Sequence, residues 1–277
     1  MRLSKTLRKF LKMALTVPLE IAFIRRRVAF ELTQRWFSDL NLQIPLSDGF
    51  GCPIPDLDAL YSFSEIFATG EYGSFLEEIS LPKRWIDLGC HAGYFTLYLA
   101  WRRAATGEPE WEALLLDADP RMKGLTEKTL KINRIEQHCT LLWGSICSSS
   151  GAQRFALRAG MGSSLDLHFS GVRKVTRVPS VSPAAILESF PPPYDLIKID
   201  IEGAEYDFAE NYVEVHKHAS AILIEWHARD RQGSGKERIH ELLGASGFRV
   251  VKTMRPVRLL YLDGDWYSSG VELYRRK

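Results

Sequence analysis

The sequence predicts a doubly wound α/β domain, with helices on both faces of a mostly parallel sheet, preceded by a basic helical extension. Short apolar runs that end in glycine or polar residues alternate with segments of helical periodicity, a pattern typical of a parallel sheet with crossover helices. The chain of 277 residues is long enough for one large domain and an extension. Its 45% hydrophobic and 25% charged residues are those of an ordinary globular protein.

The extension carries the basic charge of the chain. Residues 1–36 contain nine basic and two acidic side chains, a charge of +7, so the remaining residues together carry −5. Leu3, Leu7 and Leu11 fall on one face of a predicted helix, opposite several lysines and arginines. Such a helix can lie on an anionic membrane surface or pack on the main domain as a lid. Nucleic acid is not an expected partner, because the aromatic residues lie on the apolar faces.

Further predictions concern the end of the extension and the location of the protein. A second helix is predicted over residues 19–40, and residues 41–57 hold five prolines and glycines, which predict a loop. We therefore expect two parts, residues 1–56 and 57–277. The four cysteines have no metal-type spacing, which favours reduced thiols and a cytoplasmic protein. Peripheral contact with a membrane through residues 1–36 is compatible with that location.

The first strand and helix of the domain surround a glycine loop. Residues 85–88 predict a buried strand, residues 94–101 predict a helix, and Asp87, Gly89 and Gly93 punctuate the turn. In doubly wound domains such a turn holds a nucleotide-like cofactor. The spacing lacks the middle glycine of a dinucleotide loop, and a carboxylate beside the loop favours a cation over a phosphate. S-adenosylmethionine (SAM), which has a sulfonium, an ammonium and no phosphate, fits better than NAD.

The next elements supply further cofactor contacts. The strand over residues 111–116 ends at Asp117, which is placed to accept hydrogen bonds from ribose hydroxyls. A helix over 122–135 and a strand over 139–143 follow, and Ser145 lies at the exit of that strand, where an adenine ring would lie. The remaining predictions are a helix–turn–helix over 57–80, an inserted hairpin over 153–176, a helix over 236–246, and strands over 221–225, 248–253, 258–262 and 271–275.

A second motif combines a buried strand with charges. Lys198, Asp200 and Glu202 alternate with isoleucines, so at period two they share one side of the strand as it ends. Burying three charges for stability alone costs several kcal/mol each unless they are well paired, so the cluster indicates a site. A purely structural Lys198–Asp200 pair is the alternative. The following strand also ends in polar groups, Glu225 and His227.

Together, the two motifs Ile86–Tyr94 and Asp195–Glu205 resemble the FkbM family of SAM-dependent methyltransferases. The resemblance runs over about residues 65–226, and it implies a Rossmann-like class I methyltransferase fold with a seven-stranded sheet. It also implies methylation of hydroxyl groups on sugars and natural products. His91 stands where the family usually has asparagine, at the loop that would hold the methionine end of the cofactor, and a histidine there can still donate a hydrogen bond.

Removal of a proton from the hydroxyl acceptor requires a base or a metal nearby. His227 and Glu202 are the preferred bases, and Lys198, Asp200 and Glu225 are the other candidate catalytic residues. A divalent ion held by Asp200, Glu202 and Glu225 is an alternative that we do not favour. The expected partner is a small-molecule or glycan acceptor. The competing hypothesis is a catalytically silent protein that uses this fold to bind a membrane or protein surface.

Overall fold

The computed structural model describes most of the chain beyond the extension. The helices predicted within residues 1–39 lie outside the described residues, so membrane contact through residues 1–36 stays a prediction. No described helix has the length and apolar character that a membrane span requires. The described residues are 40–47, 49–68, 73–158, 162–166, 171–230, 232, 234–262 and 265–277.

Strands and helices alternate along the chain, as predicted. The strands are β1 Leu42–Pro45, β2 Gly51–Ile54, β3 Arg84–Leu88, β4 Glu112–Asp117, β5 Cys139–Trp143, β6 Ser145–Ile146, β7 Ala152–Arg158, β8 Val172–Val181, β9 Tyr194–Ile199, β10 Ala219–Ala228, β11 Phe248–Leu262 and β12 Asp265–Arg276. The α-helices are α1 Leu57–Phe63, α2 Tyr94–Thr106, α3 Lys123–Ile132, α4 Pro183–Ser189, α5 Glu205–Asn211, α6 Val213–His216 and α7 Gly235–Ala245.

A seven-stranded sheet forms the centre of the domain. Its order is β11-β12-β10-β9-β3-β4-β5, and the pairs from β10 to β5 are parallel while β12 runs antiparallel to both of its neighbours. The strand order reverses between β3 and β9, which is where doubly wound folds open a crevice at the carboxyl ends of their strands. The predicted fold class, including the seven strands, is confirmed.

Apolar side chains alternate between the two faces of this sheet, so each face has its own core. One face buries Trp85, Leu115, Leu196 and Leu223, and the other buries Ile86, Leu114, Ile197 and Ile222. All eight side chains are at most 1% exposed. Two buried faces hold the central strands rigidly, which fixes the strand ends that carry the site.

The prediction of a loop over residues 41–57 was wrong, because β1 and β2 pair there as an antiparallel hairpin. Gly51 exchanges two hydrogen bonds with the side chain of Asn133, at 2.8 and 2.9 Å. Cys52 and Ile54 are fully buried in the core. Proline and glycine are tolerated in so short a hairpin, which is why their number did not predict it.

Three other elements differ from the prediction. Residues 248–262 form one strand, β11, with three register shifts, the last of which spans Pro256 between Arg255 and Arg258. Strand β12 begins at residue 265. In the 57–80 segment, α1 continues into a π-helical turn, and a 3₁₀ helix follows at Gly73–Glu77. The inserted hairpin is confirmed as the antiparallel pair β7 and β8.

Candidate active site

The loop between β3 and α2 is held closely against neighbouring strands. Gly89 has a φ of +72°, and a Cβ at this position would lie 1.7 Å from the backbone oxygen of Asp200. Its N–H donates to the carbonyl of Leu116 at 2.9 Å. Only glycine fits this contact, so Gly89 allows the loop to meet the ends of both β4 and β9. Gly93 also has a positive φ, +76°, and it precedes the first turn of α2.

His91 and Asp117 are joined across this loop. The His91 N–H donates to Oδ2 of Asp117 at 2.7 Å, and the Asp119 N–H donates to Oδ1 at 2.7 Å. Burial raises the pKa of Asp117 to about 6, although these two N–H groups act to lower it. Burial also lowers the pKa of His91 to about 4, so its imidazole is neutral at neutral pH. Among the described residues, Nδ1 of His91 has no hydrogen-bond partner.

Asp87 lies deeper than the loop motif predicted. Its side chain is fully buried, 3.6 Å from Nζ of Lys198, and it accepts a hydrogen bond from the Thr96 hydroxyl at 3.1 Å. The cation that pairs with Asp87 is therefore Lys198 of the same chain. Asp87 does not line the cavity beside the loop. Its contact with a cofactor therefore stays a prediction, and the structure shows a bridge between β3 and β9 instead.

A cavity opens beside the loop, at the carboxyl ends of β3, β4 and β9. Its walls include Gly89, His91, Asp117, Ser145 and Lys198. The walls carry six carboxylates and one lysine, and Asp119 among them is paired with Arg121 at 2.5 Å. Arg255 neutralises Glu225 and Lys198 is close to Asp200, and the negative charge that remains favours a cation over a phosphate. The other carboxylates are Glu65, Asp117, Asp200, Glu202 and Glu225.

The strand carrying the second motif ends earlier than predicted. β9 stops at Ile199, the Asp200 N–H donates to Leu88 at 3.0 Å, and Glu202 sits in a turn with a φ of +52°. The period-two argument therefore applies to Lys198 and fails for the two carboxylates. The turn nevertheless keeps the predicted charges together, because Nζ of Lys198 lies 3.5 Å from Asp200.

Lys198 is the cation at the centre of this region. Its Nζ donates to the Gly89 carbonyl at 3.0 Å, and the side chain is nearly buried. Burial acts to lower the pKa of Lys198, but Asp200 and Asp87 outweigh it, so the net pKa is raised. Lys198 is therefore charged at neutral pH, and it connects the glycine loop to both carboxylates.

Glu225 and His227 lie inside β10, which is longer than predicted, and they share one face of it. Arg255 of β11 forms an ion pair with Glu225. Nε2 of His227 lies 3.4 Å from Glu225 and 3.9 Å from Glu202. The five predicted catalytic residues are thus brought together at the ends of β9 and β10.

The titratable groups of this cluster have different pKa values and so different charges at neutral pH. Burial raises the pKa of Glu202 to about 7, with His227 opposing it. Burial acts to raise the pKa of Glu225 too, but His227 and Arg255 bring it down to about 2. Burial acts to lower the pKa of His227, but Glu202 and Glu205 outweigh it and hold that pKa well above its ordinary value. At neutral pH, His227 is therefore protonated, and Glu202 is near its midpoint.

The same region offers a set of metal-type ligands. One ligand atom from each of Asp200, Glu202 and His227 lies within 4.8 Å of the others. These three residues could hold a divalent ion. In the set considered from the sequence, Glu225 stood in place of His227, but Glu225 is engaged by Arg255.

A second, more open groove meets the cavity at this cluster. The wall residues that the two spaces share are Glu65, Leu165, Glu202, Ala204 and Glu225. His227 lines the groove but not the cavity. Leu165 belongs to the segment between β7 and β8, so the inserted hairpin contributes to both walls. A ligand in the cavity and a ligand in the groove would meet at Glu202 and Glu225.

Two residues that contact the predicted catalytic side chains were not predicted from the sequence. Glu205, the first residue of α5, is fully buried and contacts His227 at 3.0 Å, and Arg255 contacts Glu225. Glu205 stands inside the second motif, but the spacing carries no sign of a partner 22 residues away. Nothing in the local pattern around Arg255 identifies a partner 30 residues earlier.

Comparison with solved structures found matches at low identity and low TM-score. A proposed O-methyltransferase from Klebsiella pneumoniae is 18% identical, with a TM-score of 0.43, over 76% of this chain and 80% of that one. Precorrin-6y C5,15-methyltransferase from Geobacter metallireducens is 10% identical, with a TM-score of 0.42, over 74% and 86%. TYW2 of M. jannaschii, solved in complex with AdoMet, is 12% identical, with a TM-score of 0.39, over 76% and 78%.

Comparison at the level of sequence identifies the family. No curated protein matches the chain. The family model described as the methyltransferase FkbM domain matches residues 87–250, which is more than half of the chain. The match spans the glycine loop, Asp117, the second motif and the cluster on β10, so it covers the predicted site residues. The chain belongs to the FkbM family of methyltransferases.

Proposed function

We propose that the chain transfers the methyl group of SAM to a hydroxyl group on a sugar, a glycolipid or a secondary metabolite. The observation that supports this most is the junction where Glu202 and Glu225 face both the cavity and the groove. An acceptor in the groove would meet a cofactor in the cavity at these carboxylates. Methyl transfer needs this kind of contact, with both reactants held in one orientation, which can be worth roughly 7–11 kcal/mol.

The residues of the cavity fit SAM. Each carboxylate oxygen of Asp117 accepts one backbone N–H and keeps a lone pair for a ribose hydroxyl. The neutral imidazole of His91 has a buried nitrogen available for the methionine end. Ser145 lines the cavity wall where the adenine would lie. The carboxylate-rich walls favour the positive charge of SAM and disfavour the pyrophosphate of NAD.

When bound, SAM supplies an electrophilic methyl group, and the chain must take the hydroxyl proton of the acceptor. Glu202 is the better placed of the two bases predicted from the sequence, because its pKa of about 7 leaves it partly ionised at neutral pH. His227 already holds a proton there, and it stabilises the carboxylate form of Glu202 from 3.9 Å. We therefore assign proton acceptance to Glu202.

The proposal is tested by incubating the protein with SAM that carries a deuterated methyl group and with a panel of neutral sugars, glycolipids and hydroxylated metabolites. Mass spectrometry should find a labelled methyl ether in at least one acceptor, and the label should be absent from reactions with Glu202→Gln. Label found only on nitrogen or carbon would contradict O-methylation. No transfer to any acceptor, together with no SAM binding, would favour the catalytically silent protein.

A further inference from the structure

Glu205 is a buried carboxylate that the proposed reaction does not itself use. It is the first residue of α5, directly after the turn that carries Asp200 and Glu202, and it is 0% exposed. A buried carboxylate costs several kcal/mol unless hydrogen bonds compensate it, and an apolar side chain would fill the same space without that cost. Its contacts therefore indicate what the charge is for.

Three groups converge on this carboxylate. Oε1 accepts the N–H of Ile201 at 3.2 Å, and both oxygens accept the N–H of Gly203, at 3.1 and 2.9 Å. These two N–H groups flank Glu202, whose φ of +52° is costly for a residue with a side chain. Oε1 also lies 3.0 Å from Nδ1 of His227. One side chain thus connects the turn after β9 with the strand β10.

The contact with Nδ1 decides where the other imidazole nitrogen points. With Nδ1–H donating to Glu205, Nε2 faces Glu225 at 3.4 Å and Glu202 at 3.9 Å. The charged groups around the ring are Glu205 from α5, Asp200 and Glu202 from the turn, Glu225 from β10, and Arg255 from β11 through Glu225. A carboxylate behind a histidine fixes the orientation and protonation of the ring in many catalytic sites.

We propose that Glu205 is a positioning residue, which holds the imidazole of His227 and the turn of Glu202 in the arrangement that places both at the junction of the cavity and the groove. Its importance for catalysis rests on the proposed function, but the arrangement itself does not. Glu205 acts through His227 and the backbone, because it lines neither the cavity nor the groove.

The test is side-chain NMR of the protein labelled with ¹⁵N-histidine, with His227 assigned by comparison with His227→Gln. In the wild type, we expect a slowly exchanging Nδ1–H of His227 that persists above neutral pH. In Glu205→Gln, that signal should be lost or exchange faster, because a neutral amide oxygen is a weaker hydrogen-bond acceptor than a carboxylate oxygen. Glu225→Gln is the matched control, since it removes a carboxylate beside Nε2 and should leave Nδ1–H protected.

Identical exchange of the His227 Nδ1–H in the wild type and in Glu205→Gln would overturn the proposal and leave Glu205 with a purely structural role. If Glu205→Gln does not fold, the wild-type spectrum decides, because an unprotonated Nδ1 at pH 7 contradicts the arrangement. The result is separable from the proposed function: SAM binding by the wild type tests the cofactor, and the NMR signal tests Glu205.

Discussion

The division of labour among the carboxylates rests on single contacts. Asp87 is paired inside the protein with Lys198, Glu225 is paired with Arg255, and Asp117 accepts two backbone N–H groups. Burial raises the pKa of Glu202 to about 7, and His227 at 3.9 Å only partly opposes it. Carboxylates close together in one site thus have different charges at neutral pH, as an acid–base site requires.

The pH dependence of SAM affinity should follow Asp117. Its carboxylate form accepts ribose hydroxyls, so affinity should be full above its pKa of about 6 and fall as pH drops through that value. We expect affinity to be roughly tenfold weaker at pH 5 than at pH 7, because only about a tenth of Asp117 is ionised at pH 5 and about nine tenths at pH 7. Calorimetry over this range checks it. In Asp117→Asn the affinity should be lower throughout, and a pH dependence unchanged from the wild type would contradict the assignment.

The Glu202→Gln substitution should lower the rate of methyl transfer far more than the affinity for SAM. Removal of a general base typically costs about 10²- to 10⁴-fold in rate. The wild-type rate should also rise with pH through about 7, as Glu202 loses its proton. Initial rates with the acceptor found by label transfer check both. The exposed Glu214→Gln serves as control, and a rate in Glu202→Gln within twofold of that control would exclude Glu202 as the base.

Breaking the buried pair formed by Lys198 and Asp87 should destabilise the fold, because the remaining charge would be buried without a partner. Their side chains are 7% and 0% exposed, and removing one partner of a buried pair costs about 3–5 kcal/mol. We expect Lys198→Met to lower the free energy of unfolding by that amount in urea denaturation. Lys217→Met removes the partner of exposed Glu214, where water screens the pair, and should cost much less. Similar losses in the two variants would show that the buried pair has no special role.

At the scale of elements, the site depends on how closely the glycine loop approaches the turn after β9. The hydrogen bond from Lys198 to Gly89 joins residues that are 109 positions apart in sequence. The loop and the turn come into contact because β3 and β9 are neighbours in the sheet. The hairpin of β7 and β8 adds Leu165 and neighbouring residues to the wall between cavity and groove. Substitutions in the loop should therefore affect both halves of the site.

Gly89→Ala tests this approach. The new Cβ would lie 1.7 Å from the Asp200 oxygen, so the loop must move, and SAM affinity and stability should both fall sharply. Gly107→Ala is a matched control, because Gly107 has the same φ of +72° but nothing within 4 Å of its Cβ position. The control should cost about 1–2 kcal/mol of backbone strain and leave SAM affinity unchanged. Equal effects of the two substitutions on SAM affinity would mean that the close contact is unimportant.

At the scale of the whole molecule, the sequence was sufficient to predict the central sheet and the grouping of the candidate site residues at its strand ends. The alternation of apolar runs with helical segments predicted the sheet, and the parallel strand ends brought Asp117 and Lys198 to the cavity and His227 to the groove that meets it. It was insufficient where contacts join distant segments. Tertiary packing determines the pairing of Asp87 with Lys198, the contact of His227 with Glu205, and the continuity of strand β11. Such packing produces no local periodicity in the sequence, so the sequence did not predict these features.

The negative charge of the cavity is the property on which the choice of cofactor depends. The loop motif alone pointed to Asp87, but the carboxylates that face the cavity are others, contributed by several strand ends and by Glu65. The preference for a cation over a phosphate thus belongs to the assembled domain. The position of the cavity, at the reversal of strand order where doubly wound folds bind their ligands, is common to both cofactors and does not distinguish them.

Calorimetric titration of the full-length protein with SAM, and in parallel with NAD, tests this account most directly. We predict saturable binding of one SAM per chain and no heat of binding with NAD, because the cavity walls favour a cation and repel a pyrophosphate. Saturable binding of NAD, or no binding of SAM by the folded protein, would contradict the account.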